Sequence, residues 1–397
     1  MDAKRAERRK WALILGTLTA LGPLAIDAYL PALPTIEREL GTSTGAVQLT
    51  LSAYFLGLAG GQLLWGPIAD RRGRRRPLLF GLVLYALGSL LAALAPRIEV
   101  LIAARALQAL GGSAGVVVVR AVVRDRWAGR EGAQMMSLIV LVMGAAPILA
   151  PTLGGAMLAL GSWRSIFVLL SGVALLVLFV IHRFLPETGE PRPPERLVDG
   201  ARRALSDRRF VAYGLATGFS LAGMFAYIAG SPFVFIEMLH LEPSAFAIFF
   251  GVNAAAYVVA SQLNARLLRK RDHTAVAVVA AGLGTVIGGA LLGVAVGGGA
   301  LIPIALLVMG YTAALGFIGA NTTAAALEDQ HERAGLASAL LGAVQFTIAS
   351  LASAAVGALA DGTARPMALV MVGCAAIGLG CVLIGRTTVA HSASAPT

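Results

Sequence analysis

Two ionisable residues, Asp27 and Arg105, lie deep inside long apolar runs of this 397-residue chain. A charged group is costly to bury in a membrane, so each is a functional candidate. Asp27 lies seven residues before the predicted outer end of its run, near Pro34, and Arg105 lies seven residues after the start of its own, near Ile98. At 1.5 Å per residue, both lie roughly 10 Å below the outer boundary. An Asp–Arg pair could therefore form, and a protonatable Asp could exchange its proton for a cationic or polarisable substrate. A purely structural ion pair is the alternative.

The apolar runs that hold these residues recur along the whole chain. The composition is 57% hydrophobic and only 13% charged, with a mean hydropathy of +0.79, whereas a soluble domain carries about 25% charged residues. Twelve runs are long enough to cross about 30 Å of hydrocarbon, and they are predicted at residues 11–34, 46–69, 77–96, 98–122, 133–158, 163–185, 209–236, 244–268, 274–295, 300–325, 334–358 and 365–386. Because Val296 to Gly299 alone divide the ninth run from the tenth, ten or eleven spans are also compatible with the pattern.

The formal charge of +11 reflects membrane topology rather than nucleic-acid binding, since the basic residues fall between the apolar runs. With the N-terminus placed in the cytoplasm, the inner segments hold 26 Lys and Arg residues and the outer loops hold four. Positive charge concentrates on the cytoplasmic side of membrane proteins. The pattern therefore predicts a multi-pass protein of a bacterial inner membrane with both termini cytoplasmic.

The longest inner connection, residues 186–208, divides the runs into two sets of six. It is rich in Pro, Arg and Glu, and we expect it to be a cytoplasmic linker between domains at 1–185 and 209–397. Similar sequences, R-D-R-W-A-G-R-E-G-A and E-D-Q-H-E-R-A-G-L-A, follow the fourth and tenth runs. The sequence thus predicts an all-α membrane protein of twelve transmembrane helices in two pseudo-symmetric six-helix bundles. In transporters with such repeats, the substrate site lies between the halves near the midplane.

The loop after the second run reads G-P-I-A-D-R-R-G-R-R-R-P. A tight turn at Gly73 would present Arg71, Arg74 and Arg75 at the inner surface, and Asp70 could pair with these arginines or with a neighbouring helix end. The segment resembles the signature loop of the major facilitator superfamily, G-x-x-x-D-R-x-G-R-[KR], which helps govern the switch between outward- and inward-facing states. After the eighth run, Asn264 occupies the position of the Asp, so the signature is degenerate there. The resemblance assigns the switch loop to Gly66, Asp70, Arg71, Gly73, Arg74 and Arg75.

Two further motifs resemble those of drug/proton antiporters within that superfamily. The fifth run contains A-P-I-L-A-P-T-L-G-G, similar to the antiporter motif G-P-x-x-G-G with Ala150 replacing the first Gly. The fourth run reads R-A-L-Q-A-L-G-G from Arg105, similar to R-x-x-Q-G, and this resemblance implies that Arg105 takes part in proton coupling. The antiporter motif contributes Pro147, Pro151, Gly154 and Gly155.

The first run supplies the most specific resemblance. Its segment I-D-A-Y-L-P-A-L-P, from Ile26 to Pro34, is similar to the first-span signature of the Bcr/CflA subfamily of bicyclomycin and chloramphenicol exporters. Some relatives carry a second acid one or two turns before the first-span Asp, but Leu18 to Leu24 contain none. The departure leaves Asp27 as the single predicted proton carrier.

A cavity for such substrates is expected to be apolar and aromatic with few polar anchors. A sugar or amino-acid site needs several convergent hydrogen-bonding groups, and the central runs offer few. The candidates on the predicted spans are Tyr29, Tyr54, Met143, Phe225, Tyr227, Asn253, Tyr257, Tyr311, Asn321 and Gln345.

The resemblance implies proton-coupled efflux of small lipophilic or amphipathic compounds, such as drugs, by alternating access. The expected partners of this predicted monomer are the substrate, protons and membrane lipid, with no nucleic acid, cofactor, metal or catalytic residue. The alternative is a facilitator or importer of a small metabolite on the same fold. An enzyme is disfavoured, since the sequence has neither a G-x-x-x-x-G-K-[ST] loop nor a cluster with metal or acid–base spacing. A sensor is disfavoured because no soluble domain is long enough to signal.

Overall fold

The computed structural model describes residues 2–127, 129–189, 197–330 and 334–393, and every regular element in these ranges is a helix. A 3₁₀ turn, Leu30–Ala32, and a π-helical turn, Phe233–Met238, interrupt the α-helices. In chain order the α-helices are α1 (Asp2–Asp27), α2 (Leu33–Glu39), α3 (Thr44–Arg72), α4 (Arg75–Ala93), α5 (Ile98–Arg126), α6 (Gly129–Gly144), α7 (Ala146–Ala159), α8 (Arg164–Phe184), α9 (Leu197–Ser206), α10 (Arg208–Pro232), α11 (Pro243–Leu267), α12 (His273–Val296), α13 (Leu301–Leu315), α14 (Gly319–Leu327), α15 (Ala334–Ala358) and α16 (Arg365–Ala393).

Twelve helical segments within the described residues are long and apolar enough to cross a membrane. Each coincides with a predicted run to within a few residues, for example Thr44–Arg72 with 46–69 and Arg164–Phe184 with 163–185. The short connection at 297–300 separates α12 from α13, which decides between ten, eleven and twelve spans in favour of twelve. The prediction of an all-α, twelve-span membrane protein is confirmed.

Four of the spans are irregular, and prolines and glycines account for the irregularities. The first span combines α1, the 3₁₀ turn and α2, and the fifth joins α6 to α7 just before Pro147. The seventh changes to the π-helical turn after Pro232, and in the tenth a turn that starts at Gly316 separates α13 from α14. Proline cannot donate a backbone N–H, so it ends or bends a helix. Irregular backbone inside a membrane is tolerated where protein surrounds it.

Helix α8 illustrates how the spans are solvated. One stripe is buried at helical spacing and includes Phe167, Leu170 and Ala174. The opposite face is also apolar but exposed, with Leu176 at 63% and Phe179 at 64%. A helix that is apolar all round, with one face uncovered, suits a lipid environment.

The chain divides into two compact units: Met1–Thr42 with Ala53–Glu195, and Ser43–Ser52 with Arg196–Thr397. In the first unit, α4 and α5 pack at very short range through glycines. A Cβ atom on Gly88 would lie 2.5 Å from the backbone nitrogen of Gln108, and one on Gly111 would lie 2.4 Å from that of Tyr85. Small residues permit such backbone approach, and here they place the polar side chains of α4 and α5 against each other.

The predicted linker at 186–208 contains an element that the prediction lacked. Helix α9 occupies Leu197–Ser206, and its Ala204 packs against Phe210, Tyr213 and Ala337 of the second unit. Residues 190–196 of this linker lie outside the described residues. The predicted domain limits and the cytoplasmic placement of the termini remain predictions.

Candidate functional site

Asp27 lies where the first span stops being a regular helix, as the last residue of α1. Pro23 lies inside α1, and Pro31 and Pro34 lie in the first turns of the two following segments. None of these prolines donates a backbone N–H, so the helix breaks in this region. Only 5% of Asp27 is exposed. An acidic side chain is therefore buried at an irregular part of a membrane span, where ionisable groups are concentrated in transporters.

Arg105 of α5 is fully buried in an aromatic cage. Its guanidinium carbon lies 4.2 Å from the ring centre of Tyr54, 4.7 Å from that of Tyr29 and 5.6 Å from that of Phe167. Its Nη1 donates to Gln108 Oε1 at 2.5 Å, while its Nε and Nη2 are buried without a hydrogen-bond partner within the described parts of the chain. Aromatic faces attract cations electrostatically, so three rings and one amide replace the water that surrounds an exposed guanidinium.

The Asp27–Arg105 ion pair considered from the sequence is absent. Among the residues that the structure describes, no nitrogen of Arg105 lies within 4.0 Å of a carboxylate oxygen of Asp27, because Arg105 contacts Gln108 and the cage instead. The two residues are nevertheless linked. Tyr54 contacts Arg105 and donates to the carbonyl of Gly22 in α1, the helix that ends at Asp27, and Tyr29, which contacts Arg105, follows Asp27 by two residues. The aromatic cage thus connects Arg105 to the segment that holds Asp27 without direct contact between the two charged groups.

The switch loop folds around a buried arginine. The expectation that Arg74 faces the inner surface is wrong: it is only 2% exposed, and it lies between Asp70 at 2.6 Å and Asp125 at 2.8 Å. Arg71, three residues earlier in the loop, is exposed as expected. The expected pairing of Asp70 with a loop arginine is also present, and that arginine is Arg74. A Cβ atom at Gly66 would meet no heavy atom within 4 Å, so the structure offers no packing reason for that glycine.

Glu187, which the sequence did not single out, closes this loop. Its carboxylate accepts backbone N–H groups from Arg74 at 2.5 Å and Arg75 at 3.2 Å, at the start of α4, and also from Thr188 and Gly189. Partial burial alone would raise the pKa of Glu187, but these hydrogen bonds outweigh it and hold the pKa below its ordinary value.

Gly73 makes room for the Glu187 carboxylate. Its φ is +80°, which favours glycine, and a Cβ atom there would meet the carboxylate at 2.5 Å. The arginine next along, Arg75, is half-buried and donates to the backbone carbonyl of His182. The loop is therefore tied to the end of α8 as well as to α5.

The antiporter-motif helix, α7, touches the broken first span. A Cβ atom on Gly154 would lie 1.9 Å from the carbonyl oxygen of Ala28, the residue after Asp27. Gly155, by contrast, would meet nothing within 4 Å. Pro147 lies in the first turn of the helix and Pro151 lies buried inside it. The motif therefore places bare backbone of α7 against the segment that holds Asp27.

Several of the predicted cavity residues form hydrogen bonds inside their own unit. Tyr311 donates to Met371 O at 3.0 Å, and Asn253 accepts from Thr312. Asn321 exchanges two hydrogen bonds with Asn264. Tyr29, Tyr54, Phe225 and Tyr227 are buried among aromatic or charged neighbours, while Met143, Tyr257 and Gln345 are half-buried. Their part in a substrate cavity remains a prediction, and the structure adds internal packing as a role for the buried members.

Sequence reasoning also missed several residues around Arg105 and its hydrogen-bond partner Gln108. Tyr85, Ser89 and Phe167 come from α4 and α8, and no motif marked them. Gln108 belonged to the R-x-x-Q pattern and could have been chosen, because a Gln three residues after a buried Arg lies on the same helix face.

Comparison with known proteins identifies similar sequences that cover most of the chain. The family model described as Major Facilitator Superfamily matches residues 15–354. The uncharacterized MFS-type transporter YdgK of Bacillus subtilis is 39% identical over 382 residues, covering 94% of each chain. The bicyclomycin resistance protein homolog of Haemophilus influenzae is 32% identical over 372 residues, covering 92% of this chain and 94% of the relative. The chloramphenicol resistance protein of Pseudomonas aeruginosa is 31% identical over 281 residues, covering 70% and 67%.

Solved structures share the fold. The D-xylose-proton symporter superposes with a TM-score of 0.71 over 95% of this chain and 96% of its own, at 16% sequence identity. Because the sequence identity is low, this match supports only the shared fold and not a shared substrate. The relatives establish a transporter of small molecules, not an enzyme, in a bacterial membrane. The chain belongs to the major facilitator superfamily, and within it resembles the drug/proton antiporters of the Bcr/CflA subfamily.

Proposed function

We propose that this transporter exports small lipophilic or amphipathic compounds in exchange for protons, and that Asp27 carries the proton. In each cycle of alternating access, Asp27 is protonated from the outside and releases its proton to the inside. A single carrier acid of this kind moves few protons per cycle.

The observation that carries the proposal is the burial of Asp27 at the break in the first span. A charged carboxylate there is costly unless a proton or a cationic group compensates it. Protonation and substrate binding can therefore exclude each other, which is what exchange requires. Arg105 lies against Tyr29, two residues after Asp27, yet among the described residues it forms no ion pair with the Asp27 carboxylate, which stays available to a proton or a substrate cation.

The names of the relatives support the direction and the substrate class. One is named a chloramphenicol resistance protein and another a bicyclomycin resistance protein homolog, and a transporter confers resistance by moving the compound out of the cell. The candidate cavity residues are mainly aromatic or amide side chains, with no charged member, which suits uncharged or polarisable ligands better than sugars.

The test uses purified protein in liposomes that contain a pH-sensitive dye. Chloramphenicol or a cationic aromatic compound is added under an imposed pH gradient, and proton flux and uptake of labelled compound are recorded together. Asp27→Asn is compared with wild type, and Asp361→Asn serves as the matched control because it removes the same charge from an exposed loop residue.

We expect substrate-dependent proton flux in the wild type and in the control, and its loss in Asp27→Asn. Full proton-driven transport by Asp27→Asn would overturn Asp27 as the carrier. Substrate movement without proton flux in the wild type would favour the facilitator alternative.

A further inference from the structure

Two tyrosine hydroxyls reach the backbone of α1 immediately before Pro23. Tyr85 donates to the carbonyl of Leu21 at 3.0 Å, and Tyr54 donates to that of Gly22 at 3.4 Å. A proline weakens the helix around it, and groups from neighbouring helices commonly stabilise the backbone there. Both tyrosines are fully buried. The backbone beside Pro23 in α1, the helix that ends at Asp27, is therefore held from two other helices, α3 and α4.

The same two tyrosines lead back to Arg105. The ring of Tyr54 lies under the guanidinium at 4.2 Å. On the other side, Arg105 donates to Gln108 Oε1, and Gln108 Nε2 donates to Ser89 Oγ at 2.8 Å. Ser89 in turn donates to the backbone carbonyl of Tyr85 at 2.8 Å. Arginine can only donate hydrogen bonds, so each hydrogen bond of the relay points away from Arg105, from donor to acceptor.

The packing of α4 on α5 explains why this relay can form. Gly88 lies one residue before Ser89, and a Cβ atom on it would meet the Gln108 backbone nitrogen at 2.5 Å. Any larger residue would separate the helices and move Gln108 away from Ser89. The hydrogen bond between Gln108 and Ser89 therefore depends on the close packing of α4 on α5.

The segment Leu21–Tyr29 is consequently fixed on both sides of Asp27 by groups attached to Arg105. Tyr54 and the relay hold its beginning, and the Tyr29 ring, 4.7 Å from the guanidinium, holds its end. Among the described residues, the titratable or charged groups that contact this segment from the packed helices are Arg105 of α5, Tyr54 of α3 and Tyr85 of α4.

We propose that Tyr85 and Ser89, together with Tyr54 and Gln108, are positioning residues that hold the Asp27 segment in place relative to Arg105. The inference rests on the proposed function in giving Asp27 a proton to exchange, but the geometry stands without it. Tyr85 and Ser89 belong to none of the family motifs found in the sequence, and they act through α1 rather than by touching substrate.

The test reads the protonation of Asp27 directly. Infrared difference spectra of the purified protein are recorded across a pH titration, and the Asp27 carboxyl band is the one lost in Asp27→Asn. Tyr85→Phe keeps the ring and removes only the hydroxyl, and Ser89→Ala breaks the relay at its centre. Tyr213→Phe removes a buried tyrosine hydroxyl from the second unit, and Ser171→Ala removes a hydroxyl that donates to α4 at Ala86, off the relay.

We expect Tyr85→Phe and Ser89→Ala each to shift the Asp27 titration midpoint by about half a pH unit or more, with both controls unchanged and all four variants folded. An unchanged midpoint in both relay variants, or no titrating band that depends on Asp27, would overturn the inference. The liposome assay tests the proposed function separately. If Asp27→Asn abolishes exchange but the relay variants leave the Asp27 titration midpoint unchanged, the proposed function stands and this inference is wrong. If the relay variants shift the midpoint but the wild type shows no proton exchange, this inference stands and the proposed function is wrong.

Discussion

Gly154 of the antiporter-motif helix packs directly against the carbonyl oxygen of Ala28, so closely that a Cβ atom at position 154 would lie 1.9 Å from that oxygen. Real contacts do not reach such a distance, so the first span or α7 would have to move. Because Ala28 follows Asp27, this contact links the antiporter motif to the proposed proton carrier.

Gly154→Ala is therefore expected to lower substrate-driven proton flux at least about tenfold, because displacing a functional group by roughly 1 Å can cost a hundredfold in activity. Gly155→Ala adds the same methyl group where nothing lies within 4 Å, and it should retain flux within about twofold. Both variants are measured in the liposome assay after normalising for protein incorporated. Equal fluxes in the two variants would mean that the helix contact does not matter for coupling.

The hydrogen bonds to Glu187 make part of the stability depend on pH. Because its pKa is lowered from the ordinary 4.5, the stabilisation is fully present above that value and is lost as the pH falls through the lowered pKa. Glu187→Gln should lower the free energy of unfolding by about 1 kcal/mol at neutral pH, as the loss of a helix cap does. Its stability should then depend less on pH below 4.5. Thermal unfolding in detergent between neutral and acid pH measures both effects.

Glu99→Gln is the matched control for Glu187→Gln, because the Glu99 side chain is 70% exposed. Among the described residues its only ion pair is with Arg97, at a long distance of 3.8 Å. It should unfold at nearly the wild-type temperature. A variant of Glu187 that unfolds like this control at every pH would contradict the capping role.

Two arginines of the switch loop should differ sharply in their contribution to stability. Arg74→Gln leaves Asp125, 12% exposed, without its ion pair at 2.8 Å. Breaking a buried pair costs about 3–5 kcal/mol, and the 48% exposure of Asp70 places this case at or below the lower end. Arg71→Gln removes an exposed charge and should change stability by less than about 0.5 kcal/mol. Thermal unfolding of the two purified variants distinguishes them, and equal losses would show that Arg74 is not the central residue of the loop.

The corresponding position in the second unit follows a different rule. Asn264 replaces the acid of the signature and exchanges two hydrogen bonds with Asn321, at 3.0 and 3.2 Å. Asn264→Asp restores the acid but buries a charge at a site 2% exposed, and it should destabilise the protein by about 1–3 kcal/mol. Gln262→Glu, which adds the same charge to an exposed position of α11, serves as its control. If Asn264→Asp is as stable as the control, the amide pair has no structural importance.

The spans could be predicted because they depend on local composition. A run of about twenty apolar residues bounded by charged ends can cross a bilayer wherever it occurs in the chain, and all twelve segments match the predicted runs. Asp27 and Arg105 followed from the same reasoning, since an ionisable residue deep inside such a run is costly to bury and is therefore a functional candidate. The all-α class and the candidate coupling residues were thus determined by the sequence alone.

The partners of those residues depended on the tertiary structure. Arg71 and Arg74 are three residues apart in one basic loop, yet only Arg74 is buried. It is buried because it pairs with Asp125, which lies 51 positions further along the chain. Arg105 pairs with rings from three other spans rather than with Asp27. Such contacts depend on the rotation and spacing of packed helices, which arise from complementary surfaces far apart in the sequence, whereas the burial of a span depends only on its own residues.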